Sequence, residues 1–287
     1  MSFVLAAAMF SVLVSVLLKL MPRHRIDVAQ AVTWNYLAAS ALCVWWLDPP
    51  LARLDSPGTP WLALLALAVI LPSLFLVLAN AVRQAGIVRT DIAQRLSLLL
   101  SLIAAFTVFS EPAGTMKLLG LGLGLVAIVA ILARPTTNAT ATRHTLVWLL
   151  TVWVGFAVVD VALKFIARAG TPFSASLTVS FALAFAGMLA VQWWRQWRGR
   201  ARLSVHNLAA GLLLGALNFG NIICYVRAHQ VLPDSPAVVF ATMNIGVVVL
   251  GTLTGVLVFS EPTSRWNRIG IVLAIAAIAV IAMAPRS

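Results

Sequence analysis

Stretches of about 20 apolar residues, the length a helix needs to cross the hydrocarbon core of a bilayer, recur along the whole chain. Ten can be traced, over residues 3–20, 29–47, 61–82, 88–109, 113–133, 145–168, 173–194, 205–228, 236–259 and 265–284. A soluble domain carries about 25% charged residues. Here 10% of the 287 residues are charged and 62% are hydrophobic, too few charges to cover a water-facing surface. The sequence predicts an all-α membrane protein of ten transmembrane helices. Connections between runs are short, so successive helices should lie antiparallel.

A net charge of +12 raises the question of nucleic acid. The basic residues do not gather on one face. They stand singly or in short groups between apolar runs, as orientation signals do, so no nucleic-acid partner is expected. The segments after runs one, three, five, seven and nine hold 13 Lys and Arg, and those after the even runs and at the C-terminus hold 6. Cytoplasmic loops carry the excess of positive charge, which puts both termini on the non-cytoplasmic side, with a bacterial inner membrane as the expected location. Lys19 stands at the end of the first run, Arg23 and Arg25 follow it, and no basic residue precedes it. That is the reverse of a signal peptide, so the run reads as a permanent span. Trp45, Trp46, Trp61, Trp148, Trp193, Trp194, Trp197 and Trp266 fall at run ends, where indole prefers the headgroup level. Trp34 and Trp153 sit deeper.

Enzyme chemistry finds no support. The 2 cysteines and 4 histidines are scattered, with no metal-ligand spacing, phosphate loop or nucleophile elbow. No catalytic residue, metal or cofactor is expected.

The chain repeats itself. Phe109-Ser110-Glu111-Pro112 returns as Phe259-Ser260-Glu261-Pro262, 150 residues later. Gly120/Gly270, Leu123/Leu273, Ala127/Ala277, Ile128/Ile278 and Ile131/Ile281 match at the same offset, and glutamate occurs nowhere else. Each half also opens with a run ending in lysine, Lys19 and Lys164. The halves divide as residues 1–135 and 145–287, joined by the small, polar linker 136–144. Five helices per half is an odd number, so the second half enters the membrane from the opposite side. Inverted repeats of this kind recur in secondary transporters.

On these residues the chain resembles the drug/metabolite transporter superfamily in its ten-helix EamA-like branch: two five-helix repeats, a lysine late in each first helix, and an acidic turn before each fifth helix. Serine stands here where glycine is usual before the glutamate. The resemblance implies that the first, third and fourth helices of each half wall a cavity, and that the cargo is a small metabolite such as an amino acid, moved outward.

Ser110 and Ser260 suit helix N-caps, with Glu111, Pro112, Glu261 and Pro262 in the first turns behind them; a gating role for the two glutamates stays open. Polar residues inside otherwise apolar runs are the cavity candidates: Asn35, Asn80, Asp91, Gln94, Arg95, Asp160, Lys164, Asn218, Asn221 and Asn244. Intramembrane charges are costly and are functional candidates by default. Asp91–Arg95 and Asp160–Lys164 are spaced to pair along a helix. Arg95 fits either a substrate carboxylate or a structural pair with Asp91, and Asp160 either a coupling role or a buried pair. Gln94 and Asn244 correspond at the repeat offset. The stretch Gly215 to Asn221 invites close helix approach or local unwinding, and Pro72 should kink its helix.

The function expected is alternating-access transport, with protons as a coupling ion through Asp91 or Asp160, membrane lipid as surroundings, and a monomer sufficient, a dimer being compatible. The alternatives are a lipid or lipid-precursor flippase, for which the basic cluster Arg195 to Arg202 is the relevant patch, and an embedded enzyme or accessory subunit.

Overall fold

The computed structural model describes residues 2–109, 114–132, 139–232 and 236–283, and every regular element among them is helical. In chain order these are α1 (Ser2–Leu20), α2 (Val28–Leu47), α3 (Trp61–Ala85), α4 (Ile87–Arg95), α5 (Ser97–Thr107), α6 (Thr115–Leu132), α7 (Ala139–Arg168), α8 (Phe173–Trp197), α9 (Val205–Val231), α10 (Pro236–Leu253) and α11 (Arg265–Ala282). A π-helical turn, Thr254–Val258, extends α10. Among the described residues seven helical stretches are long and apolar enough to cross a membrane: Ser2–His24, Trp61–Ala85, Arg143–Arg168, Phe173–Trp197, Val205–Val231, Val238–Val258 and Arg265–Ala282. Thr115–Ala127 is a shorter apolar helix. Leu62, Val69, Leu257 and Val272 are exposed along these helices, and Trp45, Trp61, Trp193, Trp197 and Trp266 are exposed near helix ends. Apolar side chains turned outward in such number suit lipid, and the chain is an integral, multi-pass membrane protein.

Two elements depart from the plain pattern. The run 88–109 is two helices, with the path broken at Leu96. Its first part, Ile-Val-Arg-Thr-Asp-Ile-Ala-Gln-Arg, is polar and its second, from Ser97, is apolar; averaging across both hides the boundary. The Leu96 carbonyl accepts from the Leu99 amide at 3.0 Å and from Trp153 Nε1 at 2.8 Å. Trp153 is thus a donor to a broken helix. The second departure is α2, which buries Gln30, Thr33 and Asn35 beside its apolar residues. It is a helix, but a more polar one than its neighbours. Pro72 lies inside α3 without ending it. Residues 139–144 of the expected linker form the start of α7; residues 136–138 lie outside the described residues, as do Ser110, Glu111 and Pro112.

The chain forms two compact units. The first takes Met1–Ser15, Asn80–Ala157 and Asn221–Ser287, the second Val16–Ala79 and Val158–Gly220. Each draws on residues from both sides of the expected linker. Within the first unit α6 lies along α11 and α4 against α10. Gly120 faces the Ala277 backbone and Gly124 faces Leu99, so α6 uses small residues four apart to bring helices close, as membrane helices do. A core of Val88, Ile92, Leu96, Leu99, Val248 and Ala274 is buried there. Within the second unit α2 packs on α8. Tyr36 is fully buried, with the Phe75 ring centred 6.0 Å away and that of Phe181 5.6 Å away. Gly215 lets α9 close on α2: a Cβ there would come within 2.6 Å of the Asn35 carbonyl. Helix α9 runs unbroken from Val205 to Val231, so the small residues of Gly215–Asn221 serve close approach, not unwinding.

Candidate functional site

Helix α4 is the unusual object in the first unit. It is nine residues long, and Ile87, Val88, Arg89, Thr90, Asp91, Ile92 and Ala93 are all buried. A polar helix is enclosed there by apolar neighbours, so its polar groups need partners from other elements.

Its N-terminus receives them from far along the chain. Glu261 Oε1 accepts from the Ile87 amide at 2.7 Å and Oε2 from the Val88 amide at 3.1 Å. The first amides of a helix have no partner within it, and the dipole favours negative charge beside them; a carboxylate satisfies both needs. Gly86, at φ +89°, turns the chain into the helix, and a Cβ there would sit 2.5 Å from Glu261 Oε2, so glycine is required for conformation and for space. The Glu261 amide bonds back to the Gly255 carbonyl at 2.9 Å, wrapping the turn. Ser260 lies in the left-handed region, φ 51°, and caps no helix among the described residues. Helix α11 begins at Arg265 and takes its N-cap from Ser264, whose Oγ accepts from the Asn267 amide at 3.1 Å. The local reading of Ser260-Glu261-Pro262 as the start of the following helix is therefore corrected: the turn ends three residues early, and its glutamate caps α4.

Thr90 Oγ1 donates to the Gly86 carbonyl at 2.7 Å, while Asp91 and Arg95 meet α1 and α10. Ser15 Oγ donates to Asp91 Oδ1 at 2.8 Å, and Asp91 is 2% exposed. One turn on, Arg95 donates to Ser11 Oγ at 2.6 Å and to Asn244 Oδ1 at 3.4 Å. Asn244 Nδ2 donates to the Phe240 carbonyl in its own helix at 2.8 Å. Asn221 Nδ2 donates to the Ala7 carbonyl of α1 at 3.1 Å. Gln94 is half-buried on the same helix. The structure thus gathers Asp91, Arg95 and Asn244 around two serines, Ser11 and Ser15, that the sequence reading passed over. Their spacing, four apart in an apolar helix, was the available signal.

The remaining candidates fall elsewhere. Arg83 donates to Asn80 Oδ1 at 2.9 Å, an exposed contact within one helix. In the second unit Asn218 Nδ2 donates to Asn35 Oδ1 at 3.4 Å, and Asn35 is wholly buried. Asp160 is exposed and Lys164 half-buried on α7, also in the second unit.

That unit also holds a polar network that no sequence signal but one announced. Asp27 caps α2, accepting from the Ala29 and Gln30 amides at 2.9 and 3.2 Å. Arg195 reaches both its oxygens, at 3.2 and 2.7 Å, in the forked geometry that suits guanidinium and carboxylate. Gln192 accepts from Arg195 and donates to Thr33, while Asn207 donates to Gln30 and accepts from the Asp27 amide. Burial pushes the Asp27 carboxyl up; the Arg195 bond, the two amides and the nearby positive charge outweigh it and hold the group below the usual carboxylate range. An aspartate directly before an apolar run was the signal. Arg198 lies over the Trp194 and Trp197 rings and Arg200 over Trp194. The basic cluster 195–202 is thus engaged within its own unit.

A protein of Haemophilus influenzae (strain ATCC 51907 / DSM 11121 / KW20 / Rd), described as an uncharacterized protein, is 38% identical over 280 residues, 95% of this chain and 94% of its own length. The sequence pattern of the EamA-like transporter family matches residues 1–133, a stretch that includes α4 and the α1 serines facing it. The chain belongs to the EamA-like transporter family, within the drug/metabolite transporter superfamily.

Proposed function

We propose that this protein is a secondary transporter that moves a small polar or amphipathic metabolite, of the amino-acid type, outward across a bacterial inner membrane by alternating access. In this reading ten membrane-crossing segments form two five-helix repeats of opposite orientation, with the termini outside, and one chain suffices. The observation that carries it is the enclosed polar helix α4. A protein that needed only to stand in a bilayer would have no use for Asp91 and Arg95 there, because intramembrane charges are costly. Arg95 holds its guanidinium on a hydroxyl and an amide oxygen; these are neutral partners that a carboxylate can displace, since charge-assisted pairing is the stronger bond. Two further features support the repeat. The tetrapeptide recurs at an offset of 150, and Phe109→Ala104 and Phe259→Thr254 amide bonds close the two fourth segments with the same wide turn, at 3.2 and 3.3 Å.

The test is reconstitution into liposomes preloaded with labelled amino acids, nucleosides, polyamines or short-chain lipids, with a thermal-shift screen of the same panel beforehand. Efflux of an amino-acid class through the wild type, lost in Arg95→Gln and retained in Asn80→Ala, supports the proposal. Movement of lipid alone, or amino-acid efflux indifferent to Arg95→Gln, would remove it.

A further inference from the structure

We infer that Asp91 is a proton-binding site, its carboxyl carrying a proton on Oδ2 in this conformation and releasing it in another; this rests on the transporter reading and names the coupling ion. The case is geometric. Oδ1 has its donor in Ser15 Oγ at 2.8 Å, whereas among the described residues no donor reaches the buried Oδ2. An ionised carboxylate has about four acceptor positions to fill. One hydroxyl leaves most of them empty, and an unsatisfied buried charge costs far more than an unsatisfied neutral group. Protonation replaces that charge with a neutral acid. The space around Oδ2 is closed by α10: a Cβ on Gly251 would lie 2.5 Å from it.

The charges that face the group are few. Arg95, one turn along α4, is held by Ser11 and Asn244; Glu261, from the turn before α11, is spent on the Ile87 and Val88 amides. Residues 2–15 of α1 and all of α10 carry no charged side chain. Among the described residues the cation that acts on Asp91 is Arg95, on α4 itself, and it is already bound by neutral oxygens. The same arrangement suggests how binding and release are linked. A substrate carboxylate that drew Arg95 away from Ser11 would loosen α1 beside Ser15, the one side-chain donor to Asp91 among the described residues.

Infrared difference spectroscopy of the full-length protein in liposomes, between acid and alkaline buffer, reads the site without any substrate. The expected result is a carbonyl stretch of a protonated, non-aqueous carboxyl that disappears as pH rises, is missing from Asp91→Asn, and persists in Glu261→Gln. Should Asp91→Asn fail to assemble, Ser15→Ala keeps the carboxyl and must move the band to higher frequency, because a hydrogen bond to the carbonyl oxygen is gone. No titrating band in the wild type, or a band untouched by both Asp91→Asn and Ser15→Ala, overturns the inference. Failure of the transport panel would leave this result standing, and failure here would leave transport standing.

Discussion

Glu261→Gln is the sharpest test of how the first unit is held together. The side chain keeps its length, and Oε1 can still accept from Ile87 at 2.7 Å, but the second oxygen becomes an amide nitrogen facing the Val88 N–H that was bonded at 3.1 Å. One charge-assisted bond becomes neutral and the other becomes a donor–donor contact. A hydrogen bond to a charged group contributes about 1.5–3 kcal/mol and a neutral one about 1 kcal/mol. The carboxylate at the helix N-terminus adds about 0.3–1 kcal/mol. Together the loss should be about 2–6 kcal/mol, a change of about 30-fold or more in the unfolding equilibrium. Reversible unfolding in mixed micelles with increasing sodium dodecyl sulfate, followed by circular dichroism, measures it. Three companions sharpen the reading. Glu261→Asp should lose most of the same stability, because a shorter arm cannot span both amides. Ser264→Ala should lose about 1 kcal/mol as a removed N-cap, and Ser260→Ala almost none. A neutral Glu261→Gln beside a costly Ser260→Ala would refute the cross-chain cap and restore a purely local role for the turn.

Three further expectations follow from the packing. Asp27 titrates lower in the folded protein than unfolded, so its contribution is complete above the unfolded value of about 3.9 and fades as pH falls through the folded value; Asp27→Asn should flatten that acid limb in thermal unfolding, and an unchanged limb would clear Asp27 of the role. Trp153→Phe leaves the Leu96 carbonyl without its indole donor and should cost about 1 kcal/mol, measured by the same detergent titration, with Trp148→Phe as the control. Gly215→Ala drives a methyl against the Asn35 backbone and should cost about 1–3 kcal/mol, whereas Gly187→Ala, with open space around it, should be neutral or gain up to about 1 kcal/mol; equal effects would contradict the close approach of α9 and α2.

Much of the helical body was legible because lipid imposes one loud rule, a long apolar run per crossing. Asp91, Arg95 and Asn244 were legible for the converse reason: polar side chains in apolar runs stand out. What could not be read was every relation carried across sequence distance. The break at Leu96 hides because the polar stretch before it and the apolar Ser97-Leu98-Leu99-Leu100 after it average to one helical run. Glu261 shows a sharper limit. Its neighbours Ser260 and Pro262 fit a local helix start, and propensity has no access to a helix 174 residues away in the chain. Ser11 and Ser15 were silent because a lone hydroxyl in a membrane helix ordinarily bonds the carbonyl one turn back, as Ser40 and Ser73 do here.

The indole under Leu96 also bears on the order in which the protein is made. Helix α4 leaves the ribosome early, yet the donor to Leu96 arrives with residue 153 and the carboxylate for Ile87 and Val88 with residue 261. Until then a polar helix waits in or beside the bilayer with its first amides unsatisfied, a state each orphaned group makes expensive. A nascent chain stopped at residue 133 would carry the family's signature and still lack what completes α4. The last of the groups that hold α4 in the finished protein, Glu261, is thus made only near the end of the chain.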